Sequence, residues 1–133
     1  MPWHIQVQAE NPIIEIVYTG FLSVADLNQA EQALLENASR NQIQLFLADC
    51  TALEGSYSVS DLYDLATAMA SWNFKHPWRK AVLRPRMRTL GEGLEFWATV
   101  ALNRGFVVRL FDERDAAIMW LLQAPYLPGA TFE

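Results

Sequence analysis

From residue 13 onward, stretches that read as strands alternate with stretches that read as helices, and this alternation is what most limits the folds open to the chain. A strand that returns to its own sheet through a helix makes a βαβ unit. Such crossovers are right-handed and set the joined strands parallel. Four segments mark helix starts with one recurring pattern, a Ser, Thr or Asp followed three residues later by an acid: Ser23-Val24-Ala25-Asp26, Ser58-Val59-Ser60-Asp61, Thr89-Leu90-Gly91-Glu92 and Asp112-Glu113-Arg114-Asp115. The first side chain can accept from a free amide of the first turn, and the acid sits at the positive end of the helix dipole.

Apolar spacing fills in the elements between these starts. Trp3, Ile5, Val7 and Ala9 alternate with polar residues, which predicts a half-buried strand over 3–9. Asn11-Pro12 breaks it, and residues 13–19 form a second strand, making an antiparallel hairpin. Further strands are expected at 43–48, 80–83 and 106–111. Leu27, Ala30, Leu34 and Ala38 share one face of the first helix; Leu62, Leu65, Ala66 and Met69 share one face of the second. Leu94, Trp97, Ala98 and Ala101 form the stripe of the third, which Gly105 closes in a left-handed cap. Ala116, Trp120 and Leu121 are the expected inward residues of the fourth. The order is β-β-α-β-α-β-α-β-α: an α/β domain over residues 1–133, with a single mixed, mostly parallel five-stranded sheet and four helices.

Composition excludes several classes. A chain that is 52% hydrophobic and 19% charged is not intrinsically disordered. No apolar run approaches the roughly 20 residues of a membrane span. The start, Met1-Pro2-Trp3-His4, lacks the layout of a secretory signal, and Cys50 is alone, so no internal disulfide forms. A cytoplasmic setting is the expectation. The net charge of −5 is unevenly spread: residues 1–74 hold nine acids and one base, whereas 75–88 hold six bases and no acid. The overall balance argues against nucleic acid as a partner.

In its order of elements the chain resembles the SpoIIAA-like group, the STAS-type domains related to bacterial anti-sigma-factor antagonists. The likeness is carried by Asn103-Arg104-Gly105-Phe106, Val108-Arg109-Leu110-Phe111, and Asp112 to Ala116 running on to Trp120-Leu121. The strand–helix pair from Ile14 to Ala30 and the segment Leu47-Ala48-Asp49 add to it. The resemblance implies strands largely in sequence order and a non-enzymatic role in binding a protein, a nucleotide or a lipid-like ligand. In the antagonists a Ser at the start of the second helix is phosphorylated, within an Asp-Ser-Ser/Thr-Gly-Leu type of turn. Here Ser58 and Ser60 stand at that place, in Ser58-Val59-Ser60-Asp61-Leu62, without the Gly.

Candidate sites follow from the expected topology. Ligands of open α/β sheets lie beyond the carboxyl ends of the strands, which points to Asp49 and Thr51, to Arg84, Arg86, Arg88 and Thr89, and to Asp112. The arginines precede a helix start, where amides and dipole favour an anion; Gly91 and Gly93 would let a ligand approach the backbone. A solvated basic loop is the competing reading. Cys50 with His4 or His76 lacks the surroundings of a thiol nucleophile, and a buried structural Cys is expected. Asp49 with Asp112 as an acid–base pair competes with turn and cap roles for each. No metal cluster, catalytic set or cofactor motif is apparent. The aromatic stretch containing Trp72, Phe74 and Trp78, with Tyr126 in the tail, suggests a partner surface, and capping of the core by these rings is the competing reading.

If all the helices gather on one face of the sheet, the other face needs cover, and a homodimer is expected. Three functions compete: a STAS-like regulatory or binding module, a small carrier for an anionic or lipid-like ligand at the strand carboxyl ends, and an enzyme.

Overall fold

A computed structural model describes residues 2–7, 12–69 and 78–123. Five strands, β1 (Trp3–Val7), β2 (Ile13–Phe21), β3 (Leu45–Glu54), β4 (Arg79–Leu83) and β5 (Val107–Phe111), make one sheet in the order β1-β2-β3-β4-β5. β1 runs antiparallel to β2, and the others are parallel. Four helices complete it: α1 (Val24–Asn41), α2 (Val59–Met69), α3 (Arg88–Asn103) and α4 (Arg114–Leu122). The expected α/β architecture is the one observed. Among the described residues no helix is long and apolar enough to cross a membrane.

Local chemistry explains the boundaries. Ser23 and Ser58 each accept from the amide of the acid three residues on, while Asp26 and Asp61 accept from the serine amides in return. These are two complete capping boxes. The other two expected starts differ. α3 begins after Met87, two residues before the expected cap Thr89, and α4 begins after Glu113; neither has a side-chain cap. Asp112, expected as a cap, points instead to Arg84.

At the far end of α3, Phe106 N–H donates to Ala101 O and Gly105 N–H to Leu102 O, with Gly105 at φ +92. This is the paired closure that a left-handed glycine permits. α1 ends in the same way, but on Gln42 at φ 57, and Ile43 N–H donates back to Ala38 O. Because that amide still belongs to the helix end, β3 starts at Leu45 and not at 43. A left-handed non-glycine residue costs about 1 kcal/mol. Exposed Gln42→Gly is therefore expected to raise stability by roughly 0.5–1 kcal/mol, read as a higher urea midpoint with unchanged slope.

β3 also runs past the expected end. Its pairing with β2 jumps from Val17↔Asp49 to Thr19↔Ala52, so β3 carries one extra residue. Asp49 Oδ1 accepts from Thr51 N at 3.0 Å and Thr51 Oγ1 at 2.7 Å, which satisfies groups that leave the ladder at this bulge. The bulge shifts the alternation: Phe46, Ala48 and Cys50 face one side, and after it Leu53 does.

The sheet is covered on both faces, which corrects the expectation of helices on one face only. The larger core joins Ile14, Ile16, Phe46, Ala48, Val82 and Leu110 to the stripes of α1, α2 and α3, which follow the expected spacing. The smaller core, on the other face, joins Ile13, Leu47, Ala81 and Leu83 to Ala117 and Leu121 of α4. α4 follows the last strand, so no later parallel strand constrains its side.

Two cations fasten α4. Arg114 forms a two-pronged pair with buried Glu15 of β2, both contacts at 2.6 Å. Arg79 Nη1 donates to Trp120 O at 2.6 Å, and its guanidinium lies 5.3 Å from the centre of the Trp120 ring. The inward pair is Ala117 and Leu121; Ala116 is exposed and Trp120 half-buried. The homodimer expectation began from a bare sheet face, and α4 lies on that face. Its other grounds, the aromatic segment before β4 and the tail, lie mostly outside the described residues.

Candidate functional site

The groups that stand out chemically do not lie beyond the strand ends. They lie under the three helices of the larger core. The inward residues of a strand facing a helical layer are normally apolar, and β2, β3 and β4 each place one exception there: Tyr18, Cys50 and Lys80. α1 adds a fourth. Leu27, Ala30, Glu31 and Leu34 sit at helical spacing on its buried face, so Glu31 enters the core with its neighbours. Lys80 is 3% exposed and Glu31 9%.

Lys80 Nζ donates to both carboxylate oxygens of Glu31, at 2.7 Å for Oε2. It also lies 5.4 Å from the centre of the Trp97 ring, within range of a cation–π contact. The pair borders a cavity of about 50 Å³ whose remaining wall is mostly apolar, including Leu27, Leu62, Leu65, Met69, Leu94 and Trp97. Tyr18 and Cys50 line the same cavity.

These four groups sense one another. Burial pushes the Cys50 thiol up to about 12, against a partly compensating pull from Lys80. A thiol so disposed stays protonated and is no nucleophile at neutral pH. Burial, and then the negative charge of Glu31, push the Tyr18 hydroxyl well above its ordinary value. Tyr18 is 4% exposed, and among the described residues its hydroxyl has no hydrogen-bond partner. Tyr57, nearby, is different: its hydroxyl donates to Leu22 O at 2.7 Å.

No protein-family model matches the chain, and no curated protein matches it.

Of the residues expected to form an anion site, Arg84, Arg88, Asp49 and Thr51 have other side-chain partners. Arg84 donates to Asp112 Oδ1 at 3.0 Å and to Glu95 Oε2 at 2.8 Å, and the hydrogen bond to Glu95 is the main reason its pKa rises further. Arg88 faces Glu92 one helical turn on, at 3.5 Å. Thr89 and Arg86 are exposed, and Arg86 meets Thr51 through the backbone, N–H to carbonyl, at 3.2 Å. Asp49 and Thr51 satisfy each other inside the β3 bulge, within the strand and not beyond it. Asp49 and Asp112 are thus engaged separately. Gly93 serves packing: a Cβ there would stand 3.1 Å from Leu62 Cδ1, so the glycine lets α2 and α3 approach.

Ser58 and Ser60 are both exposed in the first turn of α2, Ser58 as the cap. Trp78 is 6% exposed, with Phe106 stacked at 5.2 Å and Phe46 edge-on at 5.5 Å. It packs within the larger core, which is the competing reading of this residue. Trp72, Phe74, His76 and Tyr126 lie outside the described residues.

Sequence reasoning missed Glu31, Lys80 and Tyr18. A signal for Glu31 existed, since it falls inside the stripe of α1. Alternation with Val82 carried a signal for Lys80. Neither identified the other as partner, because 49 residues separate them.

Proposed function

We propose that this chain is a non-enzymatic binding module of the SpoIIAA-like, STAS-like type, and that it holds a small molecule in the cavity between the sheet and α1–α3. The observation that carries this reading is the Tyr18 hydroxyl, buried against that cavity without a hydrogen-bond partner among the described residues. An unsatisfied buried polar group costs about 1–3 kcal/mol. A ligand that supplies the missing bond recovers that cost while covering apolar wall. Of the carrier role read from the sequence, small-molecule binding is kept without the anionic ligand, and its location moves from the strand ends to the face of the sheet. The STAS-like assignment rests on the order of elements and on the segment from Asn103 to Leu121.

A catalytic role draws little support from this arrangement. The Cys50 thiol is held protonated, and the buried lysine is neutralised by the two oxygens of one carboxylate, Glu31.

Native mass spectrometry of the gently purified protein tests the reading. The folded protein is expected to carry extra mass that is released when it is unfolded in acid. Ala48 lines the cavity from β3 and is 1% exposed. Ala48→Leu fills part of that space and is expected to remove the bound mass while the protein stays folded. A wild-type chain with no adduct, or an adduct retained by Ala48→Leu, overturns the reading.

A further inference from the structure

The charge of the cavity narrows what it can hold. Lys80 and Glu31 cancel, so the site is neutral as it stands, and the rest of its wall is apolar apart from Tyr18 and Cys50. A ligand bringing a carboxylate would leave one negative charge in excess in this buried space, and an ammonium would leave one positive. Burying an uncompensated ion costs several kcal/mol even after relaxation. A neutral group carries no such cost.

The free hydrogen-bonding capacity agrees with this. Tyr18 offers one donor and its lone pairs. A lysine ammonium has three N–H donors, and Glu31 supplies the two acceptors described for Lys80. What remains open toward a ligand is donor-rich. A carbonyl or hydroxyl oxygen answers it.

Size sets a further limit. On the scale where one water occupies roughly 10–15 Å³ of cavity, about 50 Å³ takes roughly three to five groups of that size. That suits a short molecule, or the end of a longer one.

We propose that the cavity selects an electrically neutral ligand group bearing a hydrogen-bond acceptor, such as a short ketone or alcohol, anchored by the Tyr18 hydroxyl beside the Lys80–Glu31 pair. This rests on the cavity being the binding site, as proposed above.

The test is a titration followed by amide and indole NMR shifts, with four short probes: butanone, 1-butanol, butyrate and n-butylammonium. The two neutral probes are expected to give saturating shifts at Tyr18, Cys50, Lys80 and the Trp97 indole. Butyrate and butylammonium are expected to bind at least tenfold more weakly. Tyr18→Phe keeps the ring and removes the anchor, and it is expected to weaken butanone several-fold with the fold unchanged by circular dichroism.

Butyrate or butylammonium binding at these residues as tightly as butanone would overturn the neutral selection and leave the cavity as the site. Undiminished binding of butanone to Tyr18→Phe would overturn the anchoring role. No saturating shift from any of the four, up to their solubility, would overturn both this inference and the reading beneath it.

Discussion

Replacing Lys80 with Met is expected to cost about 3–5 kcal/mol of folding stability, because it strands the Glu31 carboxylate in the core without its counterion. Both side chains are nearly inaccessible, at 4% and 11%, so water cannot stand in for the missing partner. The partner change Glu31→Leu should cost a similar amount by stranding the ammonium. The double variant Lys80→Met/Glu31→Leu removes both charges and leaves volumes near the originals. It is expected to be close to neutral, or even more stable than the wild type, since the desolvation of two ions is then no longer required. Urea unfolding of the four proteins gives the coupling directly. Single variants losing less than about 1 kcal/mol, the scale of ordinary surface changes, would mean that the pair is solvated and does not belong to the core. The double variant also bears on binding. It keeps the cavity neutral, so neutral probes should still find Tyr18.

The second large effect is at Trp78. Trp78→Ala is expected to cost about 3–5 kcal/mol, the range for removing a buried aromatic side chain. Its ring is held between Phe46 and Phe106 at the rim of the larger core, immediately before β4. The loss should be independent of protein concentration. If Trp78 instead closed an interface between two copies, the urea midpoint of the wild type would rise with concentration and that of the variant would not. A cost below about 1 kcal/mol, or such a concentration dependence, would return Trp78 to the surface.

Two features of the site were written in the sequence in part. Helical spacing puts Leu27, Ala30, Leu34 and Ala38 on the buried face of α1, and the same spacing encloses Glu31. An acid inside an apolar stripe signals either a partner or an error in the stripe. Here it was the former. Lys80 and Arg79 are adjacent bases on a five-residue strand with every position buried. Adjacent residues of a strand face opposite ways. One base therefore had to enter each core, Lys80 under the three helices and Arg79 under α4. Arg84, Arg86 and Arg88 read as a concentrated basic site because residues 75–88 hold six bases and no acid. The acids that engage Arg84, Glu95 and Asp112, come from α3 and from the segment after β5.

By itself the sequence determined the order of elements, the two capping boxes at Ser23 and Ser58, the left-handed glycine after α3 and the apolar stripes of α1, α2 and α3. Each of these depends on residues a few positions apart, whose geometry the backbone sets locally. The parallel pairing of β2 to β5 follows as well, since right-handed crossovers leave little choice. Only the tertiary structure decided that α4 lies on the far face, that Trp78 turns into the core, that the β3 bulge consumes Asp49 and Thr51, and that Lys80 meets Glu31 beneath Trp97. Those outcomes depend on which surfaces are brought together by segments tens of residues apart. Charge and apolarity state that a partner is needed there, but not which one the folded chain supplies.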